Sequence, residues 1–280
     1  MIYALTALAS VFGALCLLFL VYLYIIMPNR SRREEILRFA EHKYAHRGIY
    51  GGSVAENSLT AFRIAKEKGY GIELDVRLTR DGEAVVFHDG DLKRMTGEEG
   101  EVSERDYSEL KDMRLSGTED RIPLFSEVLD LIDGSVPLLI ELKEEAGSYA
   151  VTEKTLEILE NYKGEYIIES FNPLSLKLIR KKRPEVLRGF LALNYMKEGK
   201  HTGILYFLLQ CFLFNVVSRP DFISYEHTGY KSIPLRLCRS VFGAISFAWT
   251  VTSIEEERAA YEHKFDTVIF ENYLHGEEKE

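Results

Sequence analysis

From Lys43 towards the C-terminus the chain alternates short β-forming runs with amphipathic stretches, and few folds accept that order. "KYAHRG" reads as a strand ending at His46. "SLTAFRIAKEKG" reads as a helix, with Leu59, Phe62, Ile64 and Ala65 on an apolar face and Gly69 as its stop. "YGIELDV" and "EAVVFHD" read as strands, "PLFSEVLDLI" as a helix, "PLLIELK" as a strand and "SYAVTEKTLEILENY" as a helix. "YIIESF", "LRGFLAL", "DFISYE", "ISFAWTV" and "DTVIFEN" continue the strands, with "NPLSLKLIRKKRP" and "SIEEERAAYEHKF" as further helices. Such repetition, with polar residues at the strand C-termini, predicts an α/β fold, the (β/α)8 TIM barrel. Nine strand candidates compete for eight places. The odd one is "EAVVFHD", because the "RLTRDGE" before it is too short for a helical crossover. It is either an antiparallel hairpin return or an irregular barrel strand. A doubly wound open sheet is the alternative fold, but no glycine-rich phosphate fingerprint follows the first strand.

The beginning of the chain is of another kind. Ile2 to Met27 carries no charge over 26 residues, more than the roughly 20 that a bilayer-spanning helix needs. Its uncharged start and bulky Val21–Met27 end suit a transmembrane anchor better than a signal peptide or a buried helix. Arg30, Arg32 and Arg33 follow at once, and positive-inside bias then places the remainder in the cytoplasm, on a single-pass cell-membrane protein. Residues 28–43 read as a short polar, helical linker, and 44–275 as the barrel domain. A net charge of −9 argues against general attraction to nucleic acid or to an anionic membrane surface, so attachment to a bilayer must come from apolar sequence. Cys16, Cys211 and Cys238 show neither metal-type spacing nor a disulfide framework, which fits a reducing compartment.

Two insertions interrupt the barrel pattern. Residues 90–121 are polar and charged, a small cap over the barrel mouth. Residues 196–220 contain "ILYFLLQCFLFNVV", too short to span a bilayer and read either as a buried helix or as an interfacial segment on the anchor's membrane.

Glu73 and Asp75 alternate with Leu74, so a strand would point both carboxylates to one face. Buried together they repel, and a cation relieves that repulsion. Glu141, in "IELK" at another strand end, supplies a third carboxylate. Three carboxylates without cysteine suit a hard divalent cation such as Mg²⁺ or Ca²⁺, with Mn²⁺ as a third candidate. His46 and His88 each end an apolar β-run, and two imidazoles astride a scissile bond act as base and acid near neutral pH. Arg47 and Lys143 are cations at the same mouth, suited to phosphate. Together these groups describe phosphoryl transfer. The other histidines, His42, His201, His227, His263 and His275, lie in loops or helices and carry no assignment.

The words "AHRG", "AENSLTAF", "IELDVRLTRDGEAVVFHD", "IPLFSEVL", "IELK", "ESFNP" and "AWTV", in order from residue 44 to about 270, resemble the glycerophosphodiester phosphodiesterase family. That family falls in the wider class of barrel phosphodiesterases related to phosphatidylinositol phospholipase C. The resemblance implies a TIM barrel with a small insertion at 90–121. It implies that Glu73, Asp75 and Glu141 bind a divalent cation, and that His46 and His88 are the acid/base pair. Arg47 and Lys143 would hold the phosphate, with Asn57 near the site and Trp249 facing the glycerol or head group. The expected reaction releases glycerol 3-phosphate and an alcohol from a glycerophosphodiester. Lysophospholipase D-like hydrolysis of membrane lipids is a second reading, favoured by the anchor and the second apolar segment. A catalytically silent phosphate-binding or scaffold protein is a third, against which stands the full set of histidines and carboxylates. The chain departs from the family pattern at Ala55, where a proline is usual, and at Phe270-Glu271-Asn272, where Thr-Asp and a proline are usual.

Overall fold

The computed structural model describes residues 2–144, 147–197 and 203–274. His201, His275 and part of the 196–220 insertion lie outside them. The strands are β1 (Tyr44–Ala45), β2 (Gly71–Leu78), β3 (Ala84–Val86), β4 (Leu138–Leu142), β5 (Tyr166–Ser170), β6 (Arg188–Ala192), β7 (Phe222–Glu226), β8 (Ile245–Val251) and β9 (Thr267–Phe270). β1 pairs in parallel with both β2 and β9, and the parallel pairings continue from β2 through β4 to β9. Eight parallel strands therefore close into the TIM barrel.

β3 is the ninth strand, and it is the hairpin return. It runs antiparallel to β2, with Val76 opposite Val86 and Leu78 opposite Ala84. The Val76 position pairs with β4 on its other side, so β3 occupies the edge of β2 that the two-residue β1 leaves bare. Gly82, at a φ of 83°, closes the turn through its amide to the Thr79 carbonyl. This return brings His88 back to the level of Glu73 and Asp75, and the Phe87 amide donates to the Asp75 carbonyl at 2.9 Å.

Alternation along each strand sorts the barrel interior into layers. The lower inward positions, Tyr44, Leu139, Ile167, Phe222, Phe247 and Ile269, form one buried apolar cluster. Two residues further along the same strands stand His46, Glu141, Glu169, Ser224, Trp249 and Glu271. Gly189 belongs to the lower layer by necessity, because a Cβ there would lie 2.2 Å from the Phe222 ring.

Residues 28–43 do more than link. The helix Arg33–Ala40 buries Ile36 and Phe39 in the lower cluster, so it floors the barrel. Arg32 ties its start to the carbonyls of Pro184, Glu185 and Val186, just before β6. The 90–121 cap has a core of its own, in which Leu92, Met95, Val102, Leu110, Leu115 and Ile122 pack against Val85 and Phe87. The helix Ile2–Ile26 is long and apolar enough to cross a membrane, and residues 2–21 are all exposed. The apolar run of 196–220 forms two short helices, Ile204–Gln210 and Asn215–Ser218. The run is half core and half surface, with Leu209 and, in the turn between the helices, Phe212 buried and Ile204, Leu205 and Phe207 exposed.

The floor gives a test. Ile36→Ala leaves a void in a closed layer and should cost about 2–5 kcal/mol, read as a lowered melting temperature of the detergent-solubilised chain. Arg38→Ala on the exposed face of the same helix should stay within about 0.5 kcal/mol. Equal effects would mean that the helix is only a tether.

Candidate active site

The site is built from residues at the C-terminal ends of the strands. Ser58 starts the helix Leu59–Glu67 by accepting from the Ala61 amide, and Phe62, Ala61 and Ala65 dock that helix on the barrel. Just before it, Asn57 takes a left-handed conformation (φ 53°) and donates from Nδ2 to Asp75 Oδ2 at 2.7 Å. Asn57 does not line the pocket. Its amide meets Asp75 behind the pocket, and the resemblance places it near the site.

The turn after β1 explains the "HRG" word. Arg47 (φ 58°) and Gly48 (φ 81°) reverse the chain, and the Gly48 α-carbon packs so closely on Ala61 that a Cβ would lie 2.8 Å from its methyl group. The reversal aims the Arg47 amide at Glu73 Oε2 (2.9 Å) and its guanidinium at Glu56 (2.7 Å) and Asp75 (3.4 Å).

Glu73, Asp75 and Glu141 each offer a carboxylate oxygen within 4.8 Å of the others. All three are buried, Asp75 completely. Lys143 stands between two of them, 3.0 Å from Asp75 Oδ1 and 2.6 Å from Glu141 Oε1. Burial pushes Glu73 well above the carboxylate range, and its acidic neighbours Asp75 and Glu141 push it further. Burial and Asp75 raise Glu141 to about 7 against the pull of Lys143. Burial acts on Asp75 as well, but Lys143, His88, Arg47 and the Asn57 amide outweigh it and hold that carboxyl low. Two cations therefore do not satisfy these acids fully. An all-oxygen donor set in this condition fits a hard divalent cation.

Two further acids complete the ring and were not assigned from sequence. Glu169, raised to about 8 mainly by burial, accepts from the Ser224 hydroxyl. Glu271 follows β9 and meets His46 Nδ1 at 2.7 Å and the Tyr50 hydroxyl at 2.6 Å. These bonds, the His46 contact first, draw Glu271 down to about 2. The signal for both lay in the rule that found Glu141, an acid directly ending an apolar strand. On the other side His88 Nδ1 meets Asp89 at 2.7 Å, and Arg94 of the cap bridges Asp89 to Glu56. Burial holds His88 below its usual range, reinforced by Lys143 and Arg47 against the opposing Asp75 and Asp89. Both imidazoles thus rest Nδ1 on a carboxylate, which leaves Nε2 for chemistry.

His46, Arg47, Glu73, His88, Glu141, Lys143 and Trp249 line one pocket of about 90 Å³, with Glu169 and Phe171. Trp249 stands edge-on to Phe171 at 5.6 Å. A wider groove of about 850 Å³ beside Lys231, Arg236, Arg239 and Lys264 is lined by no carboxylate, and the chemistry belongs to the smaller, acid-lined pocket.

Residues 46–216 match the glycerophosphoryl diester phosphodiesterase family. The chain belongs to that family. It is 32% identical over 240 residues to a glycerophosphodiester phosphodiesterase of Caldanaerobacter subterraneus subsp. tengcongensis, covering 80% of this chain and 91% of the relative. A solved glycerophosphodiester phosphodiesterase from Thermotoga maritima superposes with a TM-score of 0.62 at 30% identity, over 81% of this chain and 92% of that one. A lysophospholipase D of Rattus norvegicus is 31% identical over 173 residues, 57% of this chain and 53% of the relative. As a member of the glycerophosphoryl diester phosphodiesterase family, this chain is a phosphoric diester hydrolase.

The His46–Glu271 pair yields a kinetic prediction. Glu271→Gln keeps the shape but removes the counter-charge behind the imidazole. Its kcat on a glycerophosphodiester should fall by about tenfold or more while KM stays nearly unchanged. A KM effect with normal kcat would place Glu271 in substrate binding instead.

Proposed function

We propose that this chain hydrolyses glycerophosphodiesters to glycerol 3-phosphate and an alcohol, with one divalent cation held by Glu73, Asp75 and Glu141. The observation that carries this reading is the buried carboxylate triad, two of whose members, Glu73 and Glu141, line one pocket with both histidines. The cation, Mg²⁺, Ca²⁺ or Mn²⁺, would supply charge neutralisation of the phosphodiester. Arg47 and Lys143 place their charges on the phosphate side of the pocket, and Trp249 offers an apolar wall to the glycerol or head group. One of His46 and His88 takes a proton from the nucleophile, which is water or the substrate's own glycerol hydroxyl. The other gives a proton to the leaving alcohol. Glu271 and Asp89 keep each ring oriented for that transfer.

The chain is further proposed to be held in the cell membrane by Ile2–Ile26, with the barrel of residues 44–275 on the cytoplasmic side behind Arg30, Arg32 and Arg33. Ile26 is fully buried against the barrel, which supports a retained helix over a cleaved one. A second reading, lysophospholipase D-like turnover of membrane lipids, is favoured by the exposed Ile204, Leu205 and Phe207 and by the rat relative.

Single replacements of His46 and His88 by Gln, assayed for release of glycerol 3-phosphate from glycerophosphocholine, test the mechanism. Each should lower turnover by about 10²–10⁴-fold. Near-parental turnover in either variant would remove that histidine from the chemistry.

A further inference from the structure

The last turns of the Ile2–Ile26 helix are fastened to the barrel wall. The Tyr22 hydroxyl donates to the Cys211 carbonyl at 3.2 Å. The Asn215 amide and the Cys238 thiol both donate to the Ile26 carbonyl, at 2.9 and 3.4 Å. Arg219 reaches the carbonyls of Tyr24 and Met27, at 3.0 and 2.7 Å, and lies over the Tyr24 ring. The contacts advance in step, from Tyr22 with residue 211, through Ile26 with 215, to Met27 with 219. Along that stretch the chain returns from the C-terminal, mouth end of β6 to the start of β7. Asn29 completes the descent by donating to the Pro220 carbonyl at 2.8 Å. Traced towards its N-terminus, the anchor therefore points past the barrel mouth. Its exposed residues 2–21 make a rod of about 30 Å, the thickness of the hydrocarbon core.

Exposed apolar side chains give independent support. A barrel helix begins where its strand ends, so helix N-termini lie at the mouth. Leu174, Ile233 and Ile254 sit in the first two positions of the helices Pro173–Lys182, Ile233–Phe242 and Ile254–Glu262. Ile204 and Leu205 open Ile204–Gln210, and Met196 lies in the loop before it. All six are exposed, Ile204 at 72% and Ile233 at 68%. They follow β5, β6, β7 and β8 in turn and so form an arc. The charged cap takes the β3–β4 side, where Lys93, Glu98 and Glu99 are exposed.

We propose that this arc is a membrane-docking surface that seats the barrel, mouth first, on the leaflet its anchor leaves. The site then opens towards the bilayer and takes diesters whose apolar tail remains in the leaflet. The proposal rests on the reading of Ile2–Ile26 as a membrane span. Its chemical basis is that an apolar rim at the depth where the span emerges loses water-exposed area on entering the interface.

The full chain, carrying an added tryptophan and reconstituted in phosphatidylcholine vesicles with or without brominated acyl chains, tests it. Leu205→Trp and Ile233→Trp should be quenched beyond the parent, whose one tryptophan is Trp249. Val241→Trp, at the far end of the same helix as Ile233, and Glu99→Trp on the cap should not be. Rim tryptophans unquenched in a chain that floats with the vesicles would overturn the docking surface alone. A chain that does not float would overturn the span and the proposal with it. The Leu205→Glu/Ile233→Glu variant should lose vesicle-borne lysophosphatidylcholine turnover severalfold and keep its turnover of glycerophosphocholine. Equal retention of both would also overturn the proposal, whereas a parent inactive on both glycerophosphocholine and lysophosphatidylcholine would instead refute the proposed hydrolysis.

Discussion

Acids buried side by side on neighbouring strands repel one another, and much of this molecule is arranged around that repulsion. Glu73, Asp75 and Glu141 converge because β2 and β4 run in parallel register, with Asp75 opposite Glu141. Lys143 and Arg47 offset part of the charge, yet Glu73 and Glu141 remain displaced towards their neutral forms. Breaking either cation contact would leave a buried carboxylate unpaired, which is far costlier than losing a surface pair. The turn that puts the Arg47 guanidinium in place is itself strained, since Arg47 holds a φ of 58° without being glycine.

The interior below the acids is what makes such a ring tolerable. A dry layer of aromatic and branched side chains, floored by Ile36 and Phe39, fixes the strand registers from beneath. With the registers fixed, every inward position one step higher is a site position. The cap works from the side. Arg94 links Asp89 to Glu56, and those two acids hold His88 and Arg47. The insertion therefore braces the His88 imidazole and the Arg47 guanidinium from the same Arg94 side chain.

The barrel was legible because alternating periodicities and strand-end polar residues are local signals. His46, His88 and Glu141 announce themselves at the ends of β-runs with Lys143 just beyond, Glu73 and Asp75 by their alternation within one, and Trp249 only through the family resemblance; the structure gathers them in one place. The path of β3 was legible only as a pair of alternatives, because choosing between them depends on how much of the β2 edge the short β1 covers. The bond that ties Asn57 to Asp75 is a tertiary contact that its motif does not show. The floor helix reads as a polar link because four of its eight residues, Arg33, Glu34, Glu35 and Arg38, are charged; Ile36 and Phe39 carry its buried packing, with Leu37 and Ala40 partly buried beside them. The partner of His46 is Glu271, which is 225 residues distant in sequence, so no window along the chain could pair them.

The central claim is that the carboxylate triad is completed by one divalent cation. Titrating the detergent-solubilised full chain with Mn²⁺, and reading free ion by electron paramagnetic resonance, tests it most directly. The account predicts one tightly bound ion per chain in the parent and loss of that binding in Glu73→Gln and Glu141→Gln variants that retain the parental melting transition. A parent that binds no Mn²⁺, or folded variants that bind it as well as the parent, would contradict it.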